Sequence, residues 1–317
     1  MPWDGSYYLA IATSGYPAHV DPNAASSIAF FPLFPILGRG LAAVTGISVV
    51  WGLVAVSLAG GAAAVVAGWR LAVAALGAER GFRAGVLLAV FPGSVVAGLL
   101  YADATAVALA TAALLALWRG RAVLAGLLAA LATATLSLLV LPLATATAFA
   151  AWRSRRWRSA AAPLLSLCGG GAYLLYLWIH TGSPLTWSRV EHAGWMVHPS
   201  LPWQGVTAFS VYPFSAPGSS AVTIASIAVA GLGLVGLAVV RAPGEWIIFS
   251  GVVLAAVTFD GGAWIAPRFL FDAFPLVLGL GAATPRRAFP LVAAISLAGL
   301  VLLLAAYSPA NRVFLNP

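Results

Sequence analysis

The sequence contains no lysine, one cysteine and few charged residues of either sign. Of its 317 residues, 8% are charged and 62% are hydrophobic, and the mean hydropathy is +0.99. Soluble domains carry about 25% charged residues, so this shortage of charge excludes a soluble globular protein. Cys168 lies inside an apolar stretch, and a single cysteine excludes a framework of disulfide bonds within the chain.

The sequence also lacks low-complexity linkers and the alternating pattern of membrane β-strands. Its apolar runs are continuous. A continuous run favours a helix, because backbone groups in lipid must form hydrogen bonds within their own segment. We therefore predict an all-α polytopic membrane protein in which residues 1–317 form a single transmembrane domain. Asp4 and the tyrosines after it stand where the apolar core of a cleavable signal peptide would begin, so none is expected.

The basic residues, all of them arginine, are distributed unevenly along the chain. Most flank five connections between apolar segments, and the positive-inside rule places these connections in the cytoplasm. The net charge of +8 is therefore mainly a signal of orientation. Nothing else favours nucleic acid as a partner, whereas the WRSRRWR segment could contact anionic membrane lipids. The flanking residues are Arg70, Arg80, Arg83, Arg119, Arg121, Arg153, Arg155, Arg156, Arg158, Arg241, Arg286 and Arg287.

About ten segments are predicted to cross the membrane, several of them shorter than the roughly 20 residues that a straight crossing needs. Arg121 and Arg153 are both predicted in the cytoplasm, so the segment between them crosses twice or not at all. We expect a helical hairpin that is broken near Thr133 to Ser137. The abundant alanine and glycine are typical of closely packed membrane helices. The predicted spans are 47–69, 84–101, 103–118, 122–134, 136–151, 160–180, 220–240, 246–259, 269–283 and 288–306.

The remaining stretches are predicted to face the outside. They include a first outer loop of about residues 1–45 and a large outer loop of about residues 181–218. Within the first loop, residues 24–42 carry two prolines and Arg39 among aromatic residues, which favours a re-entrant or interfacial helix. A polar site on the extracytoplasmic side is predicted, because this side holds most of the acids: Asp4, Asp21, Asp103, Glu191 and Asp260, with Asp272 just inside a span.

The stretch WDGSYYLAIATSGYP, at the start of the first outer loop, leaves two interpretations open. Asp4 lies beside Trp3 and ahead of Tyr7 and Tyr8. As a structural residue it would cap a helix beginning just after it, within an interfacial belt of aromatic residues. As a functional residue it would be a general base held at the membrane surface.

Two later outer stretches carry further candidate residues. In HTGSPLTWSRVEHAGWMVHPSLPW, Arg189, Glu191 and His192 belong either to a solvated helix or to a loop that contacts substrate. The histidine spacing does not match a zinc site. In FDGGAWIAPRFLFDAFP, Arg268 and Asp272 lie four residues apart on one helix face. They would form a buried ion pair, or the arginine would bind a phosphate.

Four of these stretches resemble motifs of one family. WDGSYYLAIATSGYP followed by AFFPLFPILGR resembles the first outer loop of the PIG-V-like mannosyltransferases. VFPGSVVAGLLYADATAVAL is similar to their proline-containing helix that ends in a tyrosine and an acid, and APRFLFDAFPLVLGL is similar to their RYLLPAFPLF segment. The resemblance extends over nearly the whole chain, and the four stretches occur in the same order.

The resemblance implies a GT-C type membrane glycosyltransferase. Such an enzyme takes a sugar, here expected to be mannose, from a polyprenyl-phosphate or dolichyl-phosphate carrier on the outer face of the cell membrane. Asp4 matches the catalytic acid, and Asp103 and Arg268 match further motif positions. Transfer needs a base near the acceptor hydroxyl and cations near the leaving phosphate. The other expected substrate-binding residues are Trp3, Tyr8, Arg39, Arg189, Glu191 and His192.

Two departures from the family pattern keep alternative functions open. The family has a spanning helix before the WD motif, whereas only Met1 and Pro2 precede it here, and Ala134 stands where an arginine is usual. The alternatives are a transporter or lipid flippase, which would need ionisable residues along a path through the membrane, and an inactive relative that acts as a scaffold. The acceptor, whether glycan, lipid or protein, is left open, as is a divalent metal ion shared by Asp4 and Asp103.

Overall fold

The computed structural model describes residues 4–195, 217–259 and 266–306, and these residues form helices and no strand. The prediction of an all-α protein is confirmed for this part of the chain. The helices are α1 (Asp4–Ser14), α2 (Leu33–Thr45), α3 (Val49–Leu76), α4 (Ala78–Ala89), α5 (Asp103–Trp118), α6 (Ala122–Thr133), α7 (Val140–Ser154), α8 (Ala161–Ser166), α9 (Cys168–Thr181), α10 (Thr186–Trp195), α11 (Pro217–Val239), α12 (Gly244–Thr258), α13 (Pro267–Asp272), α14 (Phe274–Ala283) and α15 (Phe289–Ala306).

Three of the described helices are long and apolar enough to cross a membrane: Val49–Leu76, Val222–Val239 and Phe289–Ala306. Two further crossings are formed if each bent pair is one span, namely Ala78–Ala89 with Pro92–Gly98, bent by 61°, and Trp157–Ser166 with Cys168–Thr181, bent by 42°. The sequence predicted about ten crossings. The difference arises because other apolar helices among the described residues are only 10–17 residues long.

The bend after α4 has a local cause in the sequence. Pro92 has no backbone N–H, and its ring disfavours a helical conformation for the residue before it. Phe91 accordingly has an extended backbone (φ −67°, ψ 136°), and a 3₁₀ turn follows at Pro92–Gly98. The single span predicted over residues 84–101 is therefore broken. This break brings Gly93 against the backbone of Pro267, where a Cβ atom would collide with the Pro267 carbonyl oxygen.

The predicted break in the hairpin between Arg121 and Arg153 is confirmed. Helix α6 ends at Thr133, and α7 begins at Val140 after a 3₁₀ turn at Ser137–Leu139. Irregular backbone at membrane depth needs protein around it, and three hydrogen bonds provide this. The Thr133 hydroxyl donates to Ser166 O (2.8 Å) and accepts from Gly170 N (3.3 Å), and Leu33 N donates to Ala134 O (3.0 Å). The start of α2 is thus joined to the break.

Apolar residues both fill the interior and cover much of the outside of the described helices. Helices α3, α4, α5, α12 and α14 contribute to one buried core with α13. The outside carries large exposed apolar side chains such as Trp51, Ile179 and Leu302, and only 6% of α15 is buried. Soluble proteins rarely expose continuous apolar surface of this kind. The exposed apolar surface therefore indicates contact with lipid, as expected of a polytopic membrane protein.

Candidate functional site

A cavity of about 400 Å³ lies where α1, α5, α10, α12 and α13 meet the break after α6. Its lining combines ionisable and apolar groups from segments far apart in the sequence. The ionisable residues are Asp4, Asp103, Glu191, Arg268 and Asp272, with Tyr8 beside them. The larger apolar lining residues are Phe30, Phe31, Leu136, Leu138, Leu141, Trp187, Trp195, Val257 and Phe269.

An ion pair joins the first turn of α1 to the start of α13. Arg268 Nη1 donates to Asp4 Oδ2 at 2.8 Å, and the two side chains are only 17% and 18% exposed. Asp4 lies at a helix N-terminus, where the backbone dipoles stabilise a negative charge. The helix predicted to start just after Asp4 includes Asp4 itself. Two candidate residues that are 264 positions apart therefore form one charged pair in the cavity.

The Arg268 guanidinium is held between aromatic rings as well as by the carboxylate. Its central carbon lies 4.7 Å from the ring centre of Phe269 and 5.7 Å from that of Tyr101. A guanidinium has five N–H donors. The Nε donor of Arg268 is buried and has no hydrogen-bond partner among the described residues. The group is thus fixed in position and keeps donor capacity for an anion.

A second pair consists of two buried carboxyl groups, Asp103 in the first turn of α5 and Asp272 at the end of α13. They are 4% and 1% exposed. The two carboxyl groups interact electrostatically with each other. Neither oxygen of Asp272 accepts a hydrogen bond from an N–H or hydroxyl group of the described residues. Burial of such a group is costly without a proton, a cation or a bound donor.

One sequence interpretation paired Arg268 with Asp272, four residues later, and this interpretation is wrong. Arg268 forms its ion pair with Asp4 instead. The short helix α13 ends at Asp272, since Ala273 leaves the helical conformation (φ −81°, ψ 38°). Asp272 interacts electrostatically with Asp103 on α5, so the two ionisable residues of α13 interact with different helices.

Tyr8 and Glu191 also line the cavity. Tyr8 is 3% exposed and packs edge-on against Phe30 and Phe34, with ring centres 5.0 and 5.1 Å away. Burial raises the pKa of the Tyr8 hydroxyl, and the nearby negative charge of Asp103 raises it further. This hydroxyl therefore stays protonated at physiological pH and can donate a hydrogen bond.

Three other predicted substrate-binding residues, Arg39, Arg189 and His192, do not line the cavity. Arg189 and His192 are exposed on α10, because the buried positions of this helix are Thr186 and Val190 and the helical period turns the neighbouring positions outward. Arg39 is exposed on α2. Trp3 lies outside the described residues, as do residues 196–216 of the large outer loop.

Three aromatic side chains position the backbone of one cavity wall. Tyr16 donates from its hydroxyl to Phe30 O (2.7 Å), Tyr173 donates to Ile28 O (2.7 Å), and Trp187 Nε1 donates to Ala29 O (3.2 Å). Burial raises the pKa of the Tyr16 hydroxyl, so it remains a donor. These residues were not singled out from the sequence. For Tyr16 and Trp187 the only signal is the concentration of aromatic residues in the predicted outer loops, and Tyr173 falls in the span predicted over residues 160–180.

No group of three or more histidine, cysteine, aspartate or glutamate side chains suited to a metal ion occurs in residues 4–195, 217–259 and 266–306.

Asp272 is a cavity residue that the sequence analysis placed near the site but did not assign to substrate binding. Its signal was its position in an apolar span, where an ionisable side chain is functional by default.

No protein-family model and no curated protein matches this sequence. Among solved structures, it is similar to ArnT from Cupriavidus metallidurans bound to undecaprenyl phosphate (15% identity, TM-score 0.58) and to the same protein in the apo state (16%, 0.52), each covering 96% of this chain and 59% of that chain. It is also similar to the oligosaccharyltransferase of Archaeoglobus fulgidus in complex with zinc and sulfate (15%, 0.53; 98% and 48% covered). The chain thus spans roughly half of these proteins. At this identity the likeness establishes the fold, which is that of polytopic GT-C membrane proteins.

Proposed function

We propose that this chain is a glycosyltransferase that takes a sugar from a polyprenyl-phosphate carrier and transfers it to an acceptor on the outer face of the membrane. The observation that carries the proposal is the Asp4–Arg268 pair, 2.8 Å apart, in a cavity with both charged and apolar walls. The GT-C fold is consistent with this reaction class. The comparison with ArnT adds support, because that protein was crystallised with undecaprenyl phosphate.

The proposed reaction is a single displacement at the anomeric carbon of the sugar. The bond from this carbon to the carrier phosphate oxygen breaks, and the phosphate leaves with the bonding electrons. A bond forms to the oxygen of an acceptor hydroxyl, whose proton passes to a carboxylate. Asp4 is proposed as this general base. The configuration at the anomeric carbon is inverted, because the acceptor attacks from the face opposite the leaving phosphate.

Arg268 is proposed to bind the leaving phosphate. A guanidinium stays charged at any relevant pH and can donate two parallel hydrogen bonds to phosphate oxygens. Negative charge grows on the phosphate as the glycosidic bond breaks, so a fixed cation at this point lowers the barrier. The free Nε donor of Arg268 and its position between Phe269 and Tyr101 suit this role.

The apolar walls are proposed to receive the first isoprene units of the carrier. Leu136, Leu138 and Leu141, from the break after α6 and the start of α7, line the cavity together with Phe269 of α13. A polyprenyl tail must remain in contact with lipid while its phosphate reaches the charged groups, so both kinds of wall are needed in one cavity. The sugar is proposed to be mannose on the basis of the resemblance to the PIG-V-like mannosyltransferases. Tyr8 and Asp103 are proposed sugar or phosphate contacts.

The test compares Asp4→Asn with Asp21→Asn. Asp21 is an exposed acid of the same outer loop, and it accepts a hydrogen bond from Asn23 N instead of lining the cavity. Membranes containing each variant would be incubated with radiolabelled polyprenyl-phosphate mannose, and label moving to any acceptor would be counted. Loss of a general base costs about 10²–10⁴-fold in rate, so we expect a loss of this size in Asp4→Asn and none in Asp21→Asn.

Two results would contradict the proposal. Equal transfer by Asp4→Asn and the wild type would remove Asp4 from the mechanism. Movement of labelled lipid across the bilayer of proteoliposomes, without any glycosyl product, would favour a transporter or flippase instead. Replacing the donor with other polyprenyl-phosphate sugars in the wild-type assay tests the mannose assignment separately from the activity.

A further inference from the structure

A second cavity, of about 550 Å³, lies at the opposite ends of three helices that line the first. Helix α5 extends from Asp103 in the first cavity to Trp118 in the second, and α7 extends from Leu141 to Ser154. Helix α12 extends in the reverse direction, from Glu245 to Val257. At 1.5 Å per residue, the 16 residues of α5 cover about 24 Å. The two cavities therefore face opposite sides of the bundle.

The second cavity has an excess of positive charge. Its ionisable lining residues are Arg153, Arg156, Arg158 and Glu245. Arg153 and Glu245 form an ion pair at 2.9 Å, which leaves this pair neutral. Neither Arg156 nor Arg158 forms an ion pair with a carboxylate of the described residues. The cavity therefore presents two guanidinium groups without a counter-charge.

The chain segments around the second cavity add to its excess of positive charge. Gly120 and Pro243, which line it, come from two other connections between helices. These connections contain Arg119, Arg121 and Arg241. Clustered charges of one sign beside the low-dielectric protein interior raise the local concentration of ions of the opposite sign. The site thus suits an anion.

Exposed tryptophans indicate where the cavity lies relative to lipid. Trp118, Trp152 and Trp157 are 45%, 75% and 82% exposed, and tryptophan is typical of the membrane–water interface. Arg158 lies 5.5 Å from the ring centre of Trp157. The cavity is also lined by Leu114 and other apolar residues. The arginines therefore lie at the depth of lipid head groups, with apolar surface next to them.

We propose that this second cavity binds the phosphate group of an anionic phospholipid, with Arg156 and Arg158 as its ligands. Guanidinium groups bind phosphate oxygens through charge-assisted, bidentate hydrogen bonds. A soluble phosphate compound shares this chemistry. The exposed tryptophans and the apolar lining favour the lipid, because its acyl chains extend the contact beyond the phosphate. The site is separate from the proposed transfer reaction and does not depend on it.

Native mass spectrometry of the purified protein tests this proposal, with phosphatidylglycerol as the anionic lipid and phosphatidylcholine as the neutral one. The double variant Arg156→Gln/Arg158→Gln is compared with Arg286→Gln/Arg287→Gln, which removes two exposed arginines of another connection. Each basic group near an anionic lipid contributes about a factor of five. We expect the affinity for phosphatidylglycerol to fall about thirtyfold in the first variant and to stay unchanged in the control.

A second measurement uses only the wild type, so it stands even if the double variant does not fold. Photoactivatable phosphatidylglycerol should crosslink to the peptide containing residues 153–160, and millimolar inorganic phosphate should leave the yield unchanged. Crosslinks elsewhere, or equal lipid affinity in the two double variants, would overturn the site. Loss of crosslinking with inorganic phosphate would assign the cavity to a soluble phosphate compound and overturn the lipid.

Discussion

Removing one partner of the Asp4–Arg268 pair should cost more free energy than removing the second partner afterwards. Breaking a fully buried ion pair from one side costs about 3–5 kcal/mol. Both side chains keep some exposure, 17% and 18%, and solvent reduces the cost, so we expect Arg268→Gln to lose about 2–3 kcal/mol. Asp4→Asn keeps an oxygen that accepts a hydrogen bond and should lose about 1–2 kcal/mol.

The double variant should lose about 2–3 kcal/mol, no more than Arg268→Gln alone, because its neutral amides leave no unpaired charge. The coupling free energy is then about 1–2 kcal/mol, within the range for residues in contact. Titration with sodium dodecyl sulfate in mixed micelles, followed by tryptophan fluorescence, measures these unfolding free energies. Arg39→Gln, an exposed residue away from the cavity, should change stability by less than about 0.5 kcal/mol. Additive losses in the double variant would refute the reasoning.

Two other predictions follow from the packing and the orientation of the chain. Gly93→Ala places a methyl group against the carbonyl of Pro267, which precedes Arg268, so it should lower the unfolding free energy by about 1–3 kcal/mol. The control Gly98→Ala should leave the unfolding free energy unchanged, because the nearest atom to its added methyl group is 3.9 Å away. Similar losses in the two variants would contradict the contact between Gly93 and Pro267. The orientation is tested in a variant without Cys168, by adding a membrane-impermeant maleimide to intact cells. Ser14→Cys should be labelled and Ser159→Cys should not, because the arginines around Ser159 place it in the cytoplasm by the positive-inside rule. Labelling of Ser159→Cys alone would reverse the predicted orientation.

The ends of several helices were predictable because they depend on local chemistry. The span predicted over residues 103–118 coincides with α5, whose first residue is an acid at the helix N-terminus. The break after Thr133 followed from the arginines on either side of the hairpin, which required an even number of crossings. The span predicted over residues 84–101 is bent by 61° at Pro92. The continuously apolar residues around Pro92 favoured a single span, although a proline interrupts a helix.

The site was less accessible to sequence reasoning, because its contacts join distant segments. Helical spacing favoured Asp272 as the partner of Arg268, whereas tertiary packing places Asp4 there. Which candidate residue of α10 lines the cavity, Arg189, Glu191 or His192, depends on which face of the helix is buried. Val190 decides this by packing with Ile28 and Tyr173, a contact between elements that no local pattern contains.

The ion pair in the first cavity also bears on the order in which substrates can react. While Asp4 accepts a hydrogen bond from Arg268, one oxygen of its carboxylate is engaged. In the proposed reaction, a carrier phosphate competes for the same guanidinium and releases the carboxylate on binding. An acceptor hydroxyl then meets a competent base only after the donor has arrived. The proposed mechanism therefore predicts ordered addition, in which the lipid-linked sugar binds first.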